Sequence, residues 1–375
     1  MTFLRYRQIC FFRQFRQGKT IVLRNMKLST IASQSFHNDV SKKLVFVSKS
    51  TNIFENLAIE DWLYKNFDFE TQSLLFMWVN TPCVVIGRHQ NPWVEVNLKN
   101  MSENGVFLSR RNSGGGTVYH DRGNLNCSFF SSRARYNRKS NLENICQSMK
   151  CNWNLDLTIS PREDILLNSY KVSGTASKLG HKNAYHHCTL LVDVDSTKLH
   201  HMLKVDQLGI KSNSTPSVRS PTLNLKSICS QISVDEIIQV LGNYYTRNSS
   251  AQFEGLINFV EPSEEKFPGI DMLKLSFSNW HWTYGKTPSF VVCWPLGEQS
   301  PELSIVVQNG QIERLDFQNM TIDKEHSRKL SELLLNQKLD NNLYNKILSS
   351  NVFEKMNDNC AKLKEMLFLL CLTSV

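Results

Sequence analysis

The chain has 375 residues, 41% of them hydrophobic and 21% charged, the make-up of a globular protein of two or three domains with a sizeable core. Its formal charge of +9 would suggest a nucleic-acid partner, but Arg5, Arg7, Arg13, Arg16, Lys19, Arg24 and Lys27 all precede the first acidic residue, Asp39. Setting those seven aside leaves 36 basic against 34 acidic residues, a nearly neutral body, and the charge argument for DNA or RNA fails.

The leading segment, residues 1–40, is arginine-rich, free of acid until Asp39 and carries Ser29, Ser33 and Ser35 near its end, the composition of a mitochondrial transit peptide removed between about residues 28 and 40. A disordered cytosolic tail is the alternative. A secretory signal fits less well, because the apolar run from Ile9 to Phe12 is very short. Asn52 followed by Glu55 predicts a capping box opening a helix over Glu55–Lys65. Strands are expected at Leu74–Val79 and Cys83–Ile86 around the turn Asn80-Thr81-Pro82, then at Val106–Ser109 and from Leu125 to Ser131. A helix is expected over Asn141–Asn152. A hairpin turning at Asn168-Ser169, between Asp164–Leu167 and Tyr170–Ser173, should deliver Lys171. Beyond it come a strand at Thr189–Val194, helices at Lys198–Leu203 and Val234–Tyr245, and a polar loop from Ser212 to Pro221. A proline-bearing acidic stretch from Pro262 to Pro268 has the composition of a linker. A smaller α/β unit follows, with strands at Phe290–Cys293 and Leu303–Val307 and a helix at Asp323–Leu335. Met366–Leu372 is apolar but too short to span a bilayer. Strands and helices mixed without a βαβ rhythm argue for an α+β fold.

The ten cysteines are scattered, without a Cys-x-x-Cys pair or zinc spacing, which suits buried thiols in a reducing compartment such as the mitochondrial matrix. His186, His187 and Cys188 are adjacent on an expected strand and would face opposite sides, so no metal site is expected there.

The most informative stretch is Arg110-Arg111-Asn112-Ser113-Gly114-Gly115-Gly116-Thr117-Val118-Tyr119-His120-Asp121. Three successive glycines uncover backbone N–H groups that can cradle an anion, and no Gly-Lys-Ser/Thr follows to make a Walker loop. Lys171, followed by the small residues Ser173, Gly174, Thr175, Ala176 and Ser177, is a second candidate, a mobile positive charge with room for a ligand beside it, although a solvated surface lysine is the bland alternative. His120 and Asp121 could orient one another, or simply support the loop.

Taken together these segments resemble the lipoate–protein ligase A family, and within it the mitochondrial lipoyltransferases of animals. The similarity rests on Asn56-Leu57-Ala58-Ile59-Glu60-Asp61-Trp62, on Val84 to Trp93, on the glycine motif, on Lys171–Lys178 and on Tyr185 to Leu191, with Phe267-Pro268-Gly269-Ile270 and Trp280 to Pro288 further on. It runs from about residue 45 to 300. It implies a catalytic domain like that of biotin ligases and class II synthetases, a mixed sheet flanked by helices, over 41–260, with a small accessory domain over 261–375. It further implies transfer of lipoate, as its mixed anhydride with AMP, to a lysine of lipoyl domains in the acyltransferase subunits of 2-oxoacid dehydrogenases and in the glycine-cleavage H protein. A lipoylated protein could also be the donor.

By that resemblance Lys171 is the catalytic residue. Arg111, Gly114, Gly115, Gly116, Thr117, Val118, Tyr119, Arg162, Thr189, Val218 and Ser220 line the lipoyl-adenylate, while Arg88, Asn91, Arg110, His120 and Asp164 are secondary pocket candidates. The Arg162/Asp164 match needs a one-residue gap, and the loop Pro216-Ser217-Val218-Arg219-Ser220-Pro221 departs from the family pattern. A monomer is expected, without metal, membrane or tightly bound cofactor. ATP and magnesium would be needed only by a full ligase making its own adenylate, the runner-up. An octanoyltransferase lacks an evident cysteine motif here, and a biotin ligase its Gly-Arg-Gly-Arg-type loop. A non-catalytic adaptor for lipoyl domains is the reading from outside enzymology.

Overall fold

The structure, a computed structural model, describes residues 14–16, 19–21, 42–205, 209–247, 257–294, 303–318, 324–353 and 358–373. The leader lies outside them except for two short antiparallel strands, Gln14–Arg16 and Lys19–Ile21, which belong to a unit, Met1–Val40, separate from Ser41–Val375.

Within Ser41–Val375 the organising element is a six-stranded mixed sheet. Its strand order is Ser173–Leu179, Asn183–Leu191, Asn124–Ser132, Gln72–Val79, Lys42–Ser48 and Ile257–Val260. The last three run parallel to one another and the rest pair antiparallel. Every residue of Asn124–Phe130 is buried, because both faces are covered. Leu125, Cys127 and Phe129 pack with Leu142, Ile145 and Met149 of helix Arg138–Trp153 and with Ile237, Ile238 and Leu241 of helix Val234–Thr246. On the other face, Phe130, Tyr185, Phe76 and Trp78 pack against helix Ile53–Asn66.

A three-stranded sheet lies beyond this second face. Cys83–Ile86 is central, parallel to Phe107–Arg110 and antiparallel to Val118–His120. Alternation turns Val85 and Val118 toward the large sheet, and Val84, Leu108 and Tyr119 into a second core with the C-terminal segment. That segment contributes Phe290–Trp294, Leu303–Gln308 and Gln311–Phe317 to an antiparallel sheet whose fourth, edge strand is Ile210–Ser212. Helix Asp358–Cys371 closes it, and the buried Trp93 donates from Nε1 to Leu370 O at 2.8 Å.

Most expected elements are present with shifted ends. The first helix begins two residues earlier, at Ile53: Asn52 caps it by accepting from Phe54 N and Glu55 N, worth about 1 kcal/mol, but Glu55 turns away to Lys274 and Ser50 and closes no reciprocal box. The strand expected at Thr189–Val194 instead starts at Asn183 and ends at Leu191. The Pro262–Pro268 stretch packs rather than dangles: Phe267 is fully buried with its ring 5.1 Å from that of Trp62, whose Nε1 donates to Pro268 O. Ile257–Val260, just before it, is an edge strand. Asp323, expected to open the late helix, lies outside the described residues, and the helix is described from Lys324 to Leu334.

Candidate active site

The glycine motif leaves the three-stranded sheet at Arg110 and returns to it at Val118, so both ends of the loop are fixed by strands. Inside it, Arg111 is the organiser. Its Nε and Nη2 donate to Gly114 O at 3.1 and 2.6 Å, Nη2 also to Gly116 O at 2.7 Å, and Nη1 to Val85 O at 3.1 Å. Burial pulls this guanidinium down to about 10, and it remains charged at neutral pH with Glu60 as a nearby negative charge. Gly114 N reaches Ser177 O at 3.4 Å, which ties the loop to the edge strand of the large sheet.

Two glycines are demanded by close approach. Gly115 has φ of +85°, and a Cβ there would lie 3.0 Å from Arg111 Nη2 and 3.1 Å from Thr175 O. At Gly87 a Cβ would sit 2.1 Å from Gly115 O, a backbone atom that cannot yield cheaply. The amides of Gly115 and Gly116 donate to no described residue. They are available to a ligand.

Lys171 arrives on the expected hairpin. Ile165–Leu167 pairs with Tyr170–Lys171 through a two-residue turn in which Asn168 and Ser169 have φ of 51° and 67°. Lys171 Nζ ion-pairs with Asp164 Oδ1 at 2.9 Å, both side chains largely covered. Two residues on, the chain joins the large sheet, where Gly174 N donates to Thr189 Oγ1 at 3.0 Å. A Cβ on Gly174 would lie 3.6 Å from Val118 Cγ1. The strand that follows the lysine hairpin, Thr189 and the exit of the glycine motif therefore meet. The loop 213–221 joins them: Lys171 N donates to Pro221 O, and Leu223 N to Lys171 O, each at 3.0 Å.

Other candidates take supporting positions. Arg110 is completely buried, and its guanidinium donates to the carbonyls of Gly87, Arg88, Gln90, Trp282 and Thr283 and to Thr287 Oγ1, so it braces the loop and leaves no donor for a ligand. Burial lowers its pKa to about 9. Tyr119 faces the second core, away from the side on which Val118 lies. His120 Nδ1 accepts from Asn80 Nδ2 at 3.0 Å, and burial holds the ring neutral, well below its usual pKa. Asp121 bonds the amides of Gly123 and Asp195 and supports the following turn, so it makes no pair with His120. Asn91 caps the short helix Pro92–Glu95. Arg88 is exposed, donates to Asn112 Oδ1 at 3.0 Å and lies over the Trp282 ring. Arg162, Val218 and Ser220 are exposed. His186 and His187 do point to opposite faces: His187 Nδ1 meets Glu60 Oε1 at 3.0 Å, while His186 lies against Phe129. Among the described residues no group of three His, Cys, Asp or Glu is arranged to hold a metal ion.

Four residues that hold the motif in place escaped the sequence reasoning. Asp61 Oδ1, on the first helix, accepts from Asn112 Nδ2 at 2.8 Å and Lys178 Nζ at 3.1 Å. Gln90 Oε1 accepts from Gly87 N at 2.8 Å and Thr117 Oγ1 at 2.9 Å. Glu95 and Ser217 form the third anchor. Asp61, Gln90 and Glu95 lie in or beside stretches that already stood out, but only the fold reveals their partners.

A profile described as the lipoyl protein ligase A/B catalytic domain matches residues 52–246, the span that contains the glycine motif, Lys171 and Thr189. The chain belongs to the lipoyl protein ligase A/B family. A human protein named lipoyl amidotransferase LIPT1, mitochondrial, is 39% identical over 292 residues, covering 76% of this chain and 78% of its own length. A lipoate-protein ligase A of Psychrobacter cryohalolentis is 35% identical over 253 residues, 66% of this chain and 74% of its own. Among solved structures, Plasmodium falciparum LipL1 in complex with lipoate superposes with a TM-score of 0.56 at 26% identity, covering 87% of this chain and 99% of that one. A lipoate-protein ligase A bound with ATP gives 0.56 at 23% identity over 66% and 99%, a likeness of fold. The α+β architecture of mixed sheets flanked by helices is thus that of lipoate–protein ligases.

Proposed function

We propose that this protein moves the lipoyl group from lipoyl-AMP to a lysine of lipoyl domains, those of 2-oxoacid dehydrogenase acyltransferase subunits and of the glycine-cleavage H protein. The acceptor amine attacks the acyl carbon, an amide C–N bond forms, the C–O bond to the phosphate breaks, AMP leaves with that oxygen, and the nitrogen gives up its extra proton to solvent. No nucleophilic side chain is needed, because the acyl group is already activated. The observation that carries this reading is the convergence of the glycine loop, with two amides that donate to no described residue, on the strand that directly follows an ion-paired lysine.

In this reading the amides of Gly115 and Gly116 hold polar oxygens of the adenylate. Val118, Thr189 and Gly174 flank its path, and Arg111 sets the loop's shape. The Lys171 ammonium stabilises the charge that develops on carbonyl and phosphate oxygens, and Asp164 aims it. Arg162, Val218 and Ser220 belong to the nucleotide end. The catalytic domain would span 41–260 and the accessory domain 261–375. The leader and the likeness to the human mitochondrial relative support action in the mitochondrial matrix, and no helix among the described residues is long and apolar enough to cross a membrane.

The bacterial ligase relative favours a second reading, in which the protein also activates free lipoate with ATP and magnesium. One assay separates the two. The purified protein and a lipoyl domain are given either lipoyl-AMP or lipoate plus ATP, and the domain is weighed by mass spectrometry. Product only with lipoyl-AMP means transferase, product with both means ligase, and product with neither removes both readings.

A further inference from the structure

The loop 213–221 is fastened at both ends. Its far end continues into Lys171 through the Pro221 and Leu223 backbone bonds. At its near end Thr215 N donates to His89 O at 3.2 Å, and Ser217 is gripped by Glu95. Ser217 N donates to Glu95 Oε1 at 3.1 Å and Ser217 Oγ to Glu95 Oε2, while Thr117 Oγ1, whose one proton goes to Gln90 Oε1 at 2.9 Å, lies 3.3 Å from Glu95 Oε2. Ser217 Oγ in turn accepts from Thr117 N and from Gln90 Nε2, each at 2.9 Å. The missing side chain of Gly116 makes room for this serine, since a Cβ there would sit 3.2 Å from Ser217 Oγ. Between the two fastenings Val218, Arg219 and Ser220 are exposed.

Glu95 is 7% exposed, and a buried carboxylate is costly unless hydrogen bonds compensate it. It accepts from both the amide and the hydroxyl of Ser217, one on each oxygen. A glutamine in its place offers one oxygen and an NH2 group. That NH2 would face Ser217 Oγ, whose two lone pairs are already taken by Thr117 N and Gln90 Nε2.

We propose that Glu95 is a positioning residue, which clamps Ser217 against the glycine motif and thereby holds the 213–221 loop in the position that binds the acyl-adenylate. This rests on the functional reading above. Glu95 acts on binding through the loop, whereas Lys171 is presented by its own hairpin and by Asp164, so the clamp governs affinity more than the chemical step.

The test uses the full chain with Glu95→Gln, Ser217→Ala and the double variant. Lipoyl-AMP binding is measured by calorimetry without acceptor, and transfer kinetics and melting temperature are recorded alongside. Each single variant is expected to weaken lipoyl-AMP binding about tenfold, the equivalent of one well-made hydrogen bond, with a smaller fall in rate at saturation. The double variant should be no weaker than the worse single, because both remove one clamp. Parent-like affinity in both singles overturns the clamp alone, as does a loss confined to kcat and melting temperature with KM unmoved. If Glu95→Gln does not fold, the milder Ser217→Ala decides between the same outcomes. A parent protein that fails to bind lipoyl-AMP overturns the functional reading itself, and the clamp with it.

Discussion

Lys171 Nζ and Asp164 Oδ1 stand 2.9 Å apart, brought together by one tight hairpin whose two turn residues both adopt positive φ. The pair is only partly exposed, at 23% and 15%, so solvent screens it less than a surface pair. Asp164 thus fixes where the ammonium points. Asp164→Asn keeps the shape but removes the charge that aims the lysine, and transfer should slow roughly ten- to a hundred-fold with lipoyl-AMP binding little changed. Stopped-flow or quenched transfer assays measure it, and a variant with parental rate would remove the aiming role.

The glycine loop is a matter of space before chemistry. Gly87→Ala would drive a methyl group into Gly115 O, and Gly115→Ala would place a side chain in a left-handed conformation that costs about 1–2 kcal/mol. Both variants should fold and both should bind lipoyl-AMP at least tenfold more weakly, Gly87→Ala the more so because backbone must move. Titration calorimetry reads the effect. Parental affinity for Gly87→Ala would mean that the loop adopts another shape when it binds.

How much of this was legible in the sequence depends on how local the cause is. Cys83–Ile86 and the hairpin at Asn168-Ser169 were readable because turn residues and short apolar runs act over a few positions. The hairpin at Asn309-Gly310, which joins Leu303–Gln308 to Gln311–Phe317, carried an equally local Asn-Gly signature and was missed. The early start of Asn183–Leu191 was hidden because that strand is buried on both faces and shows no alternation. The motif's glycines announced a close approach, yet not what approaches. Gly87, Ser217 and Thr175 come from distant parts of the chain, and only tertiary structure brings them to the loop. Arg110 and Arg111 look alike in the sequence. One braces the C-terminal segment and the other shapes the glycine loop, because Arg110 ends the strand Phe107–Arg110 while Arg111 already belongs to the loop that leaves it.

Arg110 donates seven times at 2.6–3.3 Å, and Trp282 Nε1 returns a bond to Arg110 O at 2.6 Å. Lysine has three donors on a single nitrogen and cannot bridge both sides. Arg110→Lys should therefore leave several carbonyls buried and unpaired, and cost roughly 3 kcal/mol or more of stability. Denaturant unfolding checks this, and a loss under 1 kcal/mol would contradict the brace.

His186 is buried against Phe129 with burial pulling its pKa to about 3, below the usual 6.5. The folded state keeps it neutral while the unfolded state takes up a proton below about pH 6.5. Stability from this residue is present above that pH and is lost as pH falls toward the folded value. Replacing it by glutamine should shrink the drop in unfolding free energy between pH 7 and pH 5 by about 2 kcal/mol. Equal pH slopes for the two proteins would show that His186 takes up its proton alike in the folded and unfolded states.

The central claim is that Lys171 carries the acyl-transfer step. The most direct test preloads the full chain and Lys171→Ala with lipoyl-AMP, adds excess lipoyl domain, and follows lipoylated domain in a single turnover by quench and mass spectrometry. The account predicts that the variant remains folded and still binds lipoyl-AMP, but transfers roughly 10²–10³-fold more slowly, the loss typical of a preorganised charge-stabilising group. Transfer by Lys171→Ala at a rate close to the parent's would contradict it.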